Sequence, residues 1–107
     1  MKALIICQFA ITSKNMISRI IQHAKETDSA IDVACASVSE IAELPFEDYD
    51  VVLLAPQVRN YLKTAEERCA PLHIPVSSID VMAYGLQDAE KVLCQIKKLY
   101  QENGERG

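Results

Sequence analysis

Short apolar runs alternate with helical patterns along this chain, and that alternation restricts the fold more than any other feature. The runs that predict strands cover residues 2–7, 30–36, 49–56 and 75–79. Continuous aliphatic runs such as KALIIC and YDVVLLAP are typical of parallel strands buried on both faces. Strand–helix–strand units connect parallel strands through right-handed crossovers. We therefore predict a single doubly wound α/β domain of three layers, with a four-stranded parallel sheet in the order 2-1-3-4 and helices on both faces.

Apolar spacing and capping residues predict the helices between and after these strands. Ser37 and Glu40 have the spacing of a capping box, which predicts a short helix over 38–44 that ends before Pro45. Asp88 is the predicted cap of the last helix. The predicted inner face of that helix carries Ala89, Val92, Leu93, Ile96, Leu99 and Tyr100.

Length and charge limit the class of protein. With 107 residues the chain is long enough for one domain and too short for two, so we assign 1–102 to the domain and 103–107 to a frayed polar tail. A net charge of −4 argues against a nucleic-acid partner, which needs a basic surface. No apolar run approaches the roughly 18 residues of a membrane span, and the amino terminus does not resemble a signal peptide. We expect a cytoplasmic protein.

The four cysteines, Cys7, Cys35, Cys69 and Cys94, are widely spaced, and no C-x-x-C motif or Cys/His cluster occurs. This spacing favours neither a zinc site nor a secreted disulfide framework. No motif requires a metal or a cofactor. Because Cys35, Cys69 and Cys94 fall within apolar patterns, we interpret them as packing residues.

Cys7 differs because it ends the first strand, just before a helix. The backbone amides of residues 8–13 can converge there, and such a loop at a helix N-terminus binds anions. The same field stabilises a thiolate, and thiols so placed have pKa values of roughly 3.5–7.5. Cys7 is therefore either a nucleophile that can carry a phosphoryl group or a small buried residue.

Three stretches carry a resemblance to a known family: CQFAITS after the first strand, DVVLLAPQVRNYL at 50–62 and PVSSIDVMAYGLQDAEKVL at 75–93. From residue 2 to about residue 100, the chain resembles enzyme IIB of the lactose/cellobiose class of the bacterial phosphoenolpyruvate-dependent sugar phosphotransferase system. The resemblance implies a cytoplasmic phosphocarrier, associated with the membrane through a IIC permease. It also implies that a IIA partner phosphorylates Cys7, which then passes the phosphate to a sugar, a β-linked disaccharide, bound by IIC.

The resemblance also implies which residues surround the phosphate. The phosphate loop comprises Gln8, Phe9, Ala10, Ile11, Thr12 and Ser13. The residues at the same end of the sheet are Pro56, Gln57, Asp80, Tyr84 and Gly85. Ala10 and Ala55 stand where the family usually has glycine, and glycine often marks a positive φ. Lys14 and Arg59 are candidate cations for the phosphate, or else charges of the solvated or docking surface.

Two other functions remain open from the residues alone. A small cysteine phosphatase needs Cys-x5-Arg and an Asp-Pro loop, but Ser13 occupies the arginine position and no proline follows an aspartate. A non-enzymatic binding module of the receiver or flavodoxin type needs an acidic pair or a glycine-containing phosphate loop. Cys7-Gln8 and QFAITSKN supply neither. These absences favour a protein that holds phosphate over one that hydrolyses it.

Overall fold

Four parallel strands form the central sheet. In the computed structural model, which describes residues 1–8, 14–27 and 31–106 and side chains through residue 102, they are β1 (Lys2–Cys7), β2 (Asp32–Ser37), β3 (Val51–Leu54) and β4 (Val76–Ser78). Their spatial order is β2-β1-β3-β4. The predicted four-stranded parallel sheet in the order 2-1-3-4 is therefore confirmed. β3 is shorter than predicted because the chain turns into a 3₁₀ helix at Pro56.

Helices cover both faces of the sheet, as predicted. They are α1 (Lys14–Glu26), α2 (Leu62–Cys69), α3 (Val81–Gly85) and α4 (Ala89–Arg106). α1 and α4 pack on the face that carries Ala3, Ile5 and Leu53. α2 packs on the opposite face, which carries Leu4, Ile6 and Leu54. Successive strand residues point to opposite sides, so runs such as Ala3–Cys7 are buried throughout.

The strand order places the topological switch point beside the end of β1. β1 pairs with β2 on one side, where Cys7 is opposite Ser37, and with β3 on the other, where Ile6 is opposite Leu54. The chain leaves β1 towards one edge of the sheet and later returns to build the other edge. Crevices at such points are where doubly wound sheets bind ligands. In the described part of the chain, no helix is both long and apolar enough to cross a membrane.

The predicted helix over 38–44 is correct in its start and in its Ser37 cap, but wrong in its length. Only Val38–Glu40 forms a 3₁₀ helix, and turns follow it. The Ile41 carbonyl of an α-helix would accept from the N–H of residue 45, which is a proline and has none. The Ile41 carbonyl therefore needs another donor, as do the neighbouring carbonyls of this turn.

Arg68 of α2 is that donor. Its guanidinium donates to the carbonyls of Ile41 at 3.1 Å, Leu44 at 3.4 Å and Ala42. It also lies over the ring of buried Phe46, with Cζ 5.1 Å from the ring centroid. One side chain thus ties the connection between β2 and β3 to the helix that follows β3.

α3 is a helix that the sequence analysis did not predict. The Asp80 carboxylate accepts from the Ala83 N–H at 3.0 Å and caps its first turn. At its other end the Gln87 N–H donates to the Tyr84 carbonyl at 3.1 Å and the Asp88 N–H donates to the Ala83 carbonyl at 2.8 Å. These two bonds form a Schellman motif, whose left-handed position is usually glycine. Here it is Gln87, with φ 52°.

Replacing Gln87 with glycine should stabilise the protein. A side chain in the left-handed region is strained, so Gln87→Gly should raise the free energy of unfolding by about 0.5–1 kcal/mol. Gln22→Gly, in the interior of α1, is the matched control and should lower it by about 1 kcal/mol. Urea denaturation measures both. An unchanged or lower stability for Gln87→Gly would contradict the strain argument.

α4 differs from its prediction at its carboxyl end. Val92, Leu93 and Ile96 are buried as expected, but Tyr100 is 46% exposed, so its inner-face assignment is wrong. The 18-residue helix spans about 27 Å, whereas the four-residue β3 spans about 13 Å, so the last turns extend past the sheet. The helix continues to Arg106, whereas the sequence analysis expected a frayed tail from residue 103. The division into a domain and a tail stays a prediction.

Candidate functional site

Cys7 ends β1 at the switch point, and residues of β2 hold it there. It is opposite Ser37 in the sheet register, and its Sγ donates to the Ala36 carbonyl at 3.8 Å. Cys7 is 1% exposed. The structure shows that Cys7 is a buried thiol, and its role as a nucleophile stays a prediction. A buried thiol can still act as a nucleophile, provided that its sulfur becomes accessible to the reacting group.

Ser37, predicted from the sequence only as a helix cap, lies beside Cys7 at the end of β2. Its hydroxyl donates to the carbonyl of Gln8, the residue after the thiol, at 2.9 Å. The end of β2 therefore contacts both Cys7 and Gln8. A signal for Ser37 was present in the sequence, since a hydroxyl that ends a strand beside β1 must lie at the edge where Cys7 lies.

The ends of β3 and β4 lie at the same edge. The Ala55 N–H donates to the Ile6 carbonyl at 2.8 Å, which places the start of Pro56–Gln57 beside the end of β1. The Ile79 N–H donates to the Leu54 carbonyl at 2.8 Å, which places Asp80 beside the end of β3. Pro56 is half-buried, whereas Gln57 and Asp80 are exposed. The structure thus brings these predicted residues to one edge, and their roles there stay predictions.

Tyr84 and Gly85 belong to α3, above the same edge. Tyr84 is half-buried and packs against the core clusters on both faces of the sheet, which requires a position across the sheet edge. Gly85 has no positive φ, and a Cβ there would meet only open space. Around these residues the surface is apolar: Val81, Met82 and Leu86 are 56%, 64% and 69% exposed.

Residues 9–13, which include most of the predicted phosphate loop and Ala10, lie outside the described residues. Gln8 is described and exposed. Ala55, the other substitution for a family glycine, adopts φ −61° and ψ 151° and is fully buried. An alanine takes this extended conformation without strain. The change at position 55 therefore leaves the backbone beside Cys7 undistorted.

A second thiol, Cys35, lies on the neighbouring strand β2, opposite Ile5 in the register. Cys35 is half-buried, and burial raises its pKa. The charge of Cys7 raises it further, while the Lys14 ammonium lowers it. Cys35 therefore stays a neutral thiol at physiological pH. Lys14, the cation that lowers the pKa of Cys35, is exposed at the start of α1. Arg59 is exposed on the 3₁₀ helix that follows β3.

The other two cysteines have different environments. Cys69 is fully buried on α2, as the packing interpretation predicts. Cys94 is exposed, so that interpretation is wrong for it. It follows Leu93 by one residue, and a rotation of about 100° turns it away from the inner face of α4.

Cys69 should make the stability depend on pH above 9. Burial raises its pKa from 9.0 to about 11, although the nearby Arg68 charge lowers it in part. Between these values the unfolded chain loses the proton and the folded chain keeps it. The free energy of unfolding should therefore be unaffected below pH 9 and fall towards pH 11 by roughly 2 kcal/mol.

Denaturation at several pH values checks this expectation. In Cys69→Ala the free energy of unfolding should fall less steeply between pH 9 and 11 than in the wild type, whatever the stability of this variant at pH 7. Cys94→Ala, which removes an exposed thiol, should keep the wild-type slope. Identical slopes for all three proteins would contradict the assignment.

The fold and the site define a class: a small doubly wound α/β domain in which the first strand places a thiol at the switch point. The family model for the lactose/cellobiose-specific IIB subunit of the PTS matches residues 2–95. The chain therefore belongs to the lactose/cellobiose-specific IIB family of the sugar phosphotransferase system. The resemblance seen in the sequence is thereby confirmed, and the chain is a transferase component of a sugar transport system.

Solved structures agree with this assignment. The lactose-specific IIB component domain of the phosphoenolpyruvate:carbohydrate phosphotransferase system from Streptococcus pneumoniae has a TM-score of 0.80 at 24% identity, over 94% of this chain and 97% of that one. The cellobiose-specific phosphotransferase IIB component from Borrelia burgdorferi has a TM-score of 0.78 at 29% identity, over 96% and 94%. No curated protein sequence matches the chain. The fold is thus that of known IIB domains over nearly its whole length.

Proposed function

We propose that the protein is a phosphocarrier in which Cys7 takes the phosphoryl group from a phosphohistidine of a IIA partner. Cys7 then passes it to a sugar, a β-linked disaccharide, that a IIC permease translocates. The observation that carries this proposal is the position of Cys7, the last residue of β1, at the switch point of a IIB domain. The proposed place of action is the cytoplasm, at the membrane while bound to IIC.

Two in-line displacements make up the proposed reaction. In the first, the Cys7 thiolate attacks phosphorus, an S–P bond forms, and the P–N bond to the histidine breaks with its electron pair staying on the ring. In the second, a sugar hydroxyl attacks phosphorus, loses its proton, and displaces the thiolate. Such transfers depend on positioning and on stabilisation of the phosphoryl oxygens. We propose that the backbone amides of residues 8–13 stabilise the phosphoryl oxygens.

The burial of Cys7 sets a condition on this reaction. Reacting atoms must approach to roughly 3–3.5 Å, and a residue that is 1% exposed does not allow it. The hydrogen bond from Sγ to the Ala36 carbonyl is also one that only a protonated thiol can donate. We therefore expect partner docking to uncover the sulfur and to break this bond. Lys14 supplies positive charge at the same end of the sheet.

The exposed apolar surface of Val81, Met82 and Leu86 supports a protein partner over this edge. Contiguous exposed apolar residues mark interaction sites in soluble proteins. A donor that reaches Cys7 has to cover the edge where Pro56, Gln57, Asp80, Tyr84 and Gly85 lie. We propose that these residues contact the partner or the transferred phosphoryl group.

A hydrolytic function has less support. Membership of the IIB family favours a phosphocarrier over a phosphatase. The sequence also lacks the Cys-x5-Arg motif, whose arginine binds phosphate in cysteine phosphatases. Rapid turnover of an aryl phosphate by the purified protein would overturn the carrier proposal.

The decisive experiment is phosphorylation by a phosphorylated IIA partner, followed by mass mapping of the labelled peptide. We expect one phosphate within residues 3–14, and its transfer to a sugar when membranes containing a IIC permease are added. A phosphate mapped elsewhere, or none, would refute the proposal.

A further inference from the structure

The end of β2 holds two consecutive residues of the site. The Ala36 carbonyl accepts from Cys7 Sγ, and the next residue, Ser37, donates its hydroxyl to the Gln8 carbonyl at 2.9 Å. Because Cys7 is also opposite Ser37 in the parallel register, its backbone is held by the sheet. Gln8 lies one residue beyond β1, and the Ser37 hydroxyl holds its carbonyl.

The direction of each hydrogen bond at Ser37 follows from its single hydroxyl proton. That proton is donated to the Gln8 carbonyl, which can only accept. The Ser39 hydroxyl, 3.0 Å from Ser37 Oγ, must therefore donate to it. The Ser39 N–H also donates to Ser37 Oγ, at 3.4 Å. A chain of hydrogen bonds thus runs from Ser39 through Ser37 to Gln8, and such chains strengthen each member.

We propose that Ser37 is a positioning residue for phosphoryl transfer, acting through the Gln8 carbonyl; this inference rests on the proposed function of Cys7. The peptide group is planar, so binding its carbonyl fixes the direction in which the chain leaves the thiol. A carbonyl oxygen is also the negative end of a dipole. Bound to Ser37, this oxygen is turned towards β2 and does not face the anionic phosphoryl group.

The test compares Ser37→Ala with Ser37→Thr, which keeps the hydroxyl, and with Ser77→Ala. The last removes another half-buried serine hydroxyl from a strand, on β4. The readout is the single-turnover rate of phosphoryl transfer to Cys7 at saturating phosphorylated IIA partner. Ser37→Ala should lower this rate about 10- to 100-fold, because small displacements of reacting groups have effects of that size. The donor concentration for half-maximal rate should stay unchanged, and Ser37→Thr and Ser77→Ala should keep the wild-type rate.

A second readout does not depend on the donor. The rate of Cys7 alkylation by iodoacetamide, read by peptide mass, should rise severalfold in Ser37→Ala, because loss of the bond to Gln8 loosens the chain beside a sulfur that is otherwise buried. It should return to the wild-type rate in Ser37→Thr. If the wild type accepts no phosphate, the proposed function fails and alkylation decides this inference. If Ser37→Ala does not fold, Ser39→Ala replaces it in both measurements. This variant removes the hydroxyl that donates to Ser37, so its transfer and alkylation rates should lie between those of the wild type and those expected for Ser37→Ala. Transfer and alkylation rates equal to the wild type in the folded variant, or a change in either rate that threonine does not reverse, would overturn the inference.

Discussion

Cys7→Ser should accept no measurable phosphate from a phosphorylated IIA partner. A serine hydroxyl is a far weaker nucleophile than a thiolate at neutral pH, and removal of a catalytic nucleophile lowers rates by at least about 10³-fold. Serine is smaller and more polar in a buried position, so the fold has to be checked by circular dichroism and denaturation. Mass mapping of residues 3–14 after timed incubation measures the effect.

Two other thiols provide controls for this experiment. Cys35→Ser alters the neighbouring thiol on β2, and Cys94→Ser alters the exposed thiol on α4. Both variants should keep the phosphate on the peptide that contains Cys7. Phosphate retained by Cys7→Ser, or lost only in Cys35→Ser, would assign the nucleophile to another residue.

Arg68→Met should produce the largest loss of stability among the substitutions considered. It removes three hydrogen bonds from a charged donor, each worth about 1.5–3 kcal/mol, and the contact with the Phe46 ring. Because water can reach some of the freed carbonyls, we expect a net loss of about 3 kcal/mol. For a domain of this size, that lowers Tm by about 10–20 °C.

A graded set of variants separates the effect of the three hydrogen bonds of Arg68 from the effect of its positive charge. Arg68→Lys keeps the charge but cannot reach several carbonyls at once, so its loss should be intermediate. Arg19→Met, on the exposed surface of α1, should stay within about 0.5 kcal/mol of the wild type. Equal stability of Arg68→Lys and the wild type would show that charge alone matters. Equal stability of Arg68→Met would refute the anchoring role.

The strands follow from local sequence patterns, whereas the short helices do not. KALIIC and YDVVLLAP were identified as strands because continuous aliphatic runs are a local signal, and β1 has the predicted bounds. The helix over 38–44 failed because a capping pattern at Ser37 cannot show that the Ile41 and Ala42 carbonyls bind Arg68 of α2. α3 was missed because five residues are too few for a periodic pattern, although Asp80 caps it.

For the site, the sequence predicted the thiol and the sheet end at which it lies. It did not predict Ser37 as the partner of Gln8, although both residues were named for other reasons. These residues are 29 positions apart, and their contact depends on the register between β1 and β2. Nor did it predict that Val81, Met82 and Leu86 would be exposed beside this edge, since exposure depends on how α3 packs.

The alternation of apolar runs and amphipathic helices was sufficient to specify a parallel α/β sheet with Cys7 at the end of its first strand. Both features follow from periodicity and chain order, which are local properties of the residues. The surroundings of that thiol were decided by tertiary packing: the Ala36 carbonyl at its sulfur, the Ser37 hydroxyl on Gln8 and the burial of Cys7. These contacts join segments that are distant in the chain, and they exist only because the parallel strands align their carboxyl ends at one edge.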